Sequence, residues 1–173
     1  ANNTLVVFVS DNGGFQDAGN MGPLRGAKSS TLEGGIRVPL LARWPGRIKP
    51  NTTSDQVCVT FDLTKSFLRM DRSDVPDQTP DGFDILEHLP AAKKDLARTL
   101  YWRGKRGDRI WSAVRDGDLK FVQKTEGAQH DQWLFDLSKD IGEATDLKTK
   151  RAGDTDRLKR LLHAWEVDVT PQR

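Results

Sequence analysis

Thr4-Leu-Val-Val-Phe-Val-Ser10, running into Asp11-Asn-Gly-Gly14, is the stretch on which the reading of this chain turns. Five of the seven residues from Thr4 to Ser10 are apolar, and most of those are β-branched or aromatic. That pattern predicts a buried strand. Asp11 and Asn12 stand where the strand ends, and the glycines after them let the backbone turn. Open α/β sheets hold their ligands at the carboxyl ends of strands. A carboxylate next to an amide carbonyl suits a hard cation such as calcium or magnesium. Both residue types also favour plain turns before glycine; the apolar strand before them and the basic loop after them tip the reading toward metal ligands.

That loop is Pro23-Leu-Arg-Gly-Ala-Lys28, continuing to Glu33-Gly-Gly-Ile-Arg-Val-Pro39. Arg25, Lys28 and Arg37 lie among glycines that allow close approach to an anion. Gly26 and the Glu33-Gly34-Gly35 segment favour a pocket wall around Lys28 over a solvated surface lysine. Arg25 and Arg37 read as braces, since an arginine fork can hold a loop through a carboxylate such as Glu33.

At 173 residues the chain fits one domain, or one domain with a small subdomain. It is 36% hydrophobic and 30% charged, a globular composition. Lys plus Arg is 27 and Asp plus Glu is 25, so the net charge is only +2 and no nucleic-acid partner is expected. No run approaches the ~18 apolar residues of a membrane span, and no membrane partner is expected. A single cysteine, Cys58, excludes an intrachain disulfide framework and sits in an apolar context that reads as structural. His88, His130 and His163 are too scattered for a zinc site recognisable from sequence; His163 reads as packed. Nothing in the composition fixes a compartment.

A central-type strand expects neighbours on both edges and helices on both faces. Few later segments look able to supply them, so the chain reads as the back portion of a larger α/β protein. Ile36 to Trp44 is a second strand, irregular or at an edge because of Pro39. Ser54 to Met70 is a helix capped by Ser54, with Val57, Phe61, Leu63, Phe67 and Leu68 as its stripe. Asp71 to Pro80 reads as a loop, and Gly82 to Leu89 as a short helical turn stopped by Pro90. Strands follow at Leu100 to Arg103, Ile110 to Arg115, Leu119 to Gln123 and Gln132 to Leu137, with Asp116-Gly117 as a hairpin signal. Arg151 to Val167 is an amphipathic helix with Leu158, Leu161, Leu162 and Trp165 on one face. The aromatic set Tyr101, Trp102, Trp111, Phe121, Trp133 and Phe135 reads as the core of the small sheet, with a sugar-binding platform as the alternative.

These segments resemble the carboxyl-terminal portion of the type I sulfatases, arylsulfatase-like members of the alkaline-phosphatase-like superfamily. Ser10-Asp-Asn-Gly-Gly14 resembles that family's metal-binding strand end, and the Pro23–Lys28 and Glu33–Pro39 segments its sulfate-contacting loop. Trp44-Pro-Gly46, Asp81-Gly82, Arg98-Thr-Leu-Tyr-Trp102, Ala113–Gly117 with Lys120, and Leu134–Leu137 with Glu143 follow its later landmarks in order. The resemblance implies an α/β fold: residues 1–95 as the carboxyl-terminal part of the sulfatase core, and 96–173 as a small antiparallel subdomain with a packing helix. It implies Asp11 and Asn12 as two ligands of a divalent cation, calcium ahead of magnesium, and Lys28 as a catalytic, sulfate-contacting group. The family's nucleophile is a formylglycine hydrate made from Cys or Ser in a Cys/Ser-x-Pro/Ala-x-Arg sequence in the amino-terminal half. No such sequence occurs here: Cys58 is followed by Val59, Thr60, Phe61 and Asp62. The expected partners are therefore a sulfate-ester substrate and the missing amino-terminal half, with the chain inactive alone. The alternatives are a phosphate or phosphonate monoester hydrolase of the same superfamily, or a non-catalytic metal- or anion-binding fragment.

Overall fold

The structure, a computed structural model, describes residues 3–70, 82–88 and 95–170. The loop expected over Asp71 to Pro80 and the stop at Pro90 lie outside the described residues. The chain divides into two compact units, Ala1–Asp11 with Pro39–Leu96, and Asn12–Val38 with Ala97–Arg173.

In the first unit, strand β1 (Val6–Val9) pairs antiparallel with β2 (Leu40–Arg43), Val6 opposite Arg43 and Val9 opposite Leu40. β2 starts directly after Pro39, which has no amide hydrogen to give a ladder. β1 is half-buried rather than enclosed on both faces. Leu5, Val7 and Val9 pack toward Trp44, Leu63, Ile85 and Leu86, while Val6 and Phe8 on the other face are 52% and 63% exposed. A continuous apolar pattern gives the propensity of a strand but not the number of its covered faces, and these described residues cover one.

Helix α2 runs Thr60–Met70, starting six residues after the predicted cap. Ser54 turns its hydroxyl to the Gln56 amide (3.2 Å) instead, a local bond that competes with helix. The helix is opened by Asp62, fully buried, whose carboxylate accepts the amides of Val59 (2.8 Å) and Phe83 (3.2 Å). The face buried is Asp62, Leu63 and Ser66, and the predicted stripe members Phe61, Phe67 and Leu68 are exposed. Ser66 receives the amide of Leu86 at 3.3 Å, tying α2 to the short helix α3 (Ile85–His88). Here α1 is the four-residue turn Glu33–Ile36 of the second unit.

The second unit is built on a four-stranded antiparallel meander, β3 (Thr99–Arg106), β4 (Arg109–Asp116), β5 (Leu119–Glu126) and β6 (Gln129–Asp136). Each strand extends beyond the apolar run that announced it, because the three connections are two-residue turns whose first members, Gly107, Gly117 and Gly127, take φ of 60°, 60° and 59°. Glycine adopts that conformation without the Cβ penalty, and such turns match the twist of the paired strands. The expected Asp116-Gly117 signal lands one residue off: Asp116 stays in the ladder opposite Leu119. Helix α4 (Ala152–Val169) lays Leu158 and Leu162 on Val114, Phe121 and Leu134, and Trp165 stacks on Tyr101 at 5.1 Å. The other sheet face holds Ala113, Val122, Phe135, Leu137 and Leu32. No helix among the described residues is long and apolar enough to cross a membrane.

At the far end of the sheet Glu126 accepts from Arg109 and meets Lys124, each at 2.6 Å. The Arg109 hydrogen bond, then Lys124, holds the Glu126 carboxyl down at about 2. A depressed carboxyl contributes stability above its unfolded value, and the contribution is lost as pH falls through the folded one. Glu126 should therefore stay ionised through pH 4.5, its ordinary value, and release its two cations only near pH 2. Carboxyl carbon shifts followed by NMR on acidification check this; a midpoint at 4 or above contradicts it.

Candidate functional site

The residues singled out at the start occupy a loop system closed by backbone packing. Asp11 and Asn12 form the bend after β1, Asp11 exposed and Asn12 half-buried. Gly13 donates its amide to the Gly35 carbonyl at 2.9 Å, and Lys28 donates its amide to the Gly14 carbonyl at 2.9 Å. The Lys28 segment is thus fixed two residues from Asn12. The glycines bring backbone against backbone. A Cβ on Gly13 would lie 1.8 Å from the Gly34 carbonyl oxygen, and one on Gly34 would lie 2.3 Å from that of Gly26. Ser29, next to Lys28, is held at φ 78°, a left-handed conformation that a non-glycine residue keeps only when its surroundings impose it. The Lys28 side chain is exposed and has no ion pair among the described residues.

What holds this loop is an ionic cluster that the motif reading did not find. Lys120, the second residue of β5, has no exposed surface. Its Nζ lies 2.7 Å from Glu33 Oε1 and 2.9 Å from Glu143 Oε1. The Glu33 approach is a hydrogen bond; the Glu143 approach is an ion pair that leaves Oε1 without a hydrogen-bond donor among the described residues. Glu143 Oε2 accepts the Glu33 amide at 2.7 Å, and Arg37 reaches the second oxygen of Glu33 at 3.4 Å. Arg25 donates to the Glu143 carbonyl at 2.9 Å. Arg25 and Arg37 are braces, as the sequence suggested, though Arg25 grips a carbonyl rather than a carboxylate. Burial pushes the Glu143 carboxyl above its ordinary value, with attraction to Lys120 opposing. Three segments distant in sequence are thereby fixed around one buried ammonium. A buried charge demands such partners, so a lysine alternating with Val122 on an apolar strand was the available signal.

Among the described residues no group of three or more His, Cys, Asp or Glu is arranged to hold a metal. Asp11 and Asn12 offer two hard oxygen donors of the six to eight that calcium takes. Their chemistry fits such an ion, and two donors alone do not complete its shell.

The sequence model of the sulfatase family matches residues 1–70, the segment that carries Asp11, Asn12 and Lys28. Human arylsulfatase A is 32% identical over 95% of this chain. The chain belongs to the sulfatase family. It spans 37% of the length of the human enzyme and corresponds to the carboxyl-terminal part of such relatives. Among solved structures, Ps i-CgsB superposes with a TM-score of 0.85 at 27% identity, covering 98% of this chain and 38% of that one. The phosphonate monoester hydrolase of Agrobacterium radiobacter shares the fold, with a TM-score of 0.66 at 20% identity over 95% of this chain and 35% of its own. The mixed α/β fold expected from the opening strand is the fold of sulfatases.

Proposed function

We propose that this chain supplies part of the metal and sulfate site of a sulfuric ester hydrolase, and that it is inactive without a nucleophile from outside these residues. The observation that carries the reading is the Lys28 loop, clamped to Gly14 beside Asn12 in a chain of the sulfatase family. Lys28 is exposed on a loop held by its backbone to Gly14, and its ammonium would stabilise the charge that builds on the departing ester oxygen. Asp11 and Asn12 would contribute two ligands to a calcium ion, which lowers the electrostatic barrier between an anionic nucleophile and an anionic ester. Sugar sulfates are the ester class we favour, on the ground that the structural neighbour Ps i-CgsB was solved in complex with k-i-k-neocarrahexaose. Hydrolysis of phosphate or phosphonate monoesters is the second reading; the likeness to the Agrobacterium enzyme supports it through fold alone.

Calcium dependence tests the metal assignment. In a complete sulfatase containing this chain, chelation should abolish ester turnover and added calcium should restore it, with Asp11→Ala needing at least tenfold more calcium. Wild-type turnover indifferent to chelation, or an Asp11→Ala variant with an unchanged calcium requirement, would remove Asp11 from the metal shell.

A further inference from the structure

The loop that carries Lys28 has a narrow neck. Gly34 donates its amide to the Arg25 carbonyl at 2.7 Å, so the two ends of the loop meet and Lys28 stands between them. Inside the loop, Ser30 gives both its amide (3.1 Å) and its hydroxyl (2.9 Å) to the Ala27 carbonyl. The loop is braced from within, and its direction is set at the neck.

One residue far along the chain grips both sides of that neck. Glu143 accepts the Glu33 amide on Oε2 at 2.7 Å, and its own carbonyl accepts the Arg25 guanidinium at 2.9 Å. Its other carboxylate oxygen lies 2.9 Å from Lys120, which bonds back to Glu33. Beside it, Gly142 runs so close to the start of the loop that an added Cβ would lie 2.9 Å from the Pro23 carbonyl oxygen. Glu143 has no exposed surface and holds φ at 53°, and Ser29, next to Lys28, shares that left-handed conformation. Residues with side chains keep it only where their surroundings over-determine it, and such strain gathers at functional sites.

We propose that Glu143 is a positioning residue for the Lys28 ammonium, a role that rests on the reading of Lys28 as the cation at the departing ester oxygen. A lysine stabilises that charge only if its loop holds it within reach as the bond breaks. Glu143 acts through the neck from which Lys28 extends rather than on the ester.

The test is kcat for aryl sulfates of graded leaving-group basicity, in a complete sulfatase containing this chain, for Glu143→Ala, Lys28→Ala and the double variant. Glu143→Ala should lower kcat about 10- to 100-fold, with KM changed by no more than about threefold. The loss should grow as the leaving phenol becomes more basic, since the lysine then has more charge to stabilise. In the Lys28→Ala background the same change should cost less than about threefold. Glu143→Gln, which keeps an oxygen for the Glu33 amide, should recover most of kcat. A purely structural Glu143 would lower the amount of active enzyme without steepening the dependence on the leaving group. If Glu143→Ala is unfolded by circular dichroism, Gly142→Ala takes its place with the same expected signature, because it crowds the Pro23 carbonyl and removes no charge. Additive losses in the double variant, or an unchanged leaving-group dependence in a folded neck variant, would overturn the positioning role alone. Parental kcat in Lys28→Ala would overturn the reading of Lys28 and this role with it.

Discussion

Lys120→Met should destabilise the second unit by about 3–5 kcal/mol. Methionine fills much the same volume, so the loss comes from charge and not from a cavity. Glu33 and Glu143 would be left 4% and 0% exposed, with their shared cation gone. Leaving a buried carboxylate without its partner is far more damaging than the net worth of the pair, because desolvation is no longer offset. The loss should depend on pH in a defined sense. Burial already raises Glu143, and removing Lys120 takes away the attraction that opposes this rise. A group whose folded pKa is raised stabilises below its unfolded value, and that contribution is lost as pH rises through the folded one. The variant should thus come closest to the parent in mild acid and fall furthest behind at neutral pH. Urea unfolding at pH 4.5 and 7.5 measures both effects. A loss below about 1 kcal/mol at pH 7.5, or one that grows on acidification, would show that the cluster does not hold the loop.

Lys28→Ala carries the largest expected effect on chemistry. In a complete sulfatase containing this chain it should lower kcat on the order of 10²–10³, about 3–4 kcal/mol of transition-state stabilisation. Charge appears on the ester oxygen only as the bond breaks, so KM should change much less than kcat. Stability should stay within about 0.5 kcal/mol of the parent, since Lys28 is exposed and unpaired among the described residues. That contrast would separate the two lysines, Lys120 as the group that holds the loop and Lys28 as the group proposed to act from it. Equal falls in stability and activity for Lys28→Ala would place it with the structural group.

Much of this was legible in the residues because it rests on local rules. The meander follows from alternating apolar residues and glycines at three turns, and α4 from the spacing of Leu158, Leu161, Leu162 and Trp165. Asp11, Asn12 and Lys28 stood out by chemical type and by the glycines around them. Long-range partnership was not legible. Nothing near Glu33 reveals that its carboxylate meets Lys120, 87 residues away. The early helix start at Ser54 failed for a related reason: the helix begins at Thr60, where the buried Asp62 accepts the Val59 amide, and the buried Ser66 accepts that of Leu86. Polar residues inside are governed by partners, and partners are set by the fold rather than by the neighbouring sequence. The aromatic set read as core is so placed, with Phe121 and Phe135 fully buried and Tyr101, Trp102, Trp111 and Trp133 half-buried and packed against the two core clusters of the sheet.

The decisive measurement is turnover of aryl sulfate, aryl phosphate and aryl phosphonate esters by a complete protein containing this chain, in calcium, with Lys28→Ala in parallel. Preferential hydrolysis of the sulfate ester, falling by the stated two to three orders of magnitude in Lys28→Ala, is the expected result. Preference for the phosphate or phosphonate ester, or sulfate turnover that Lys28→Ala leaves unchanged, would contradict it.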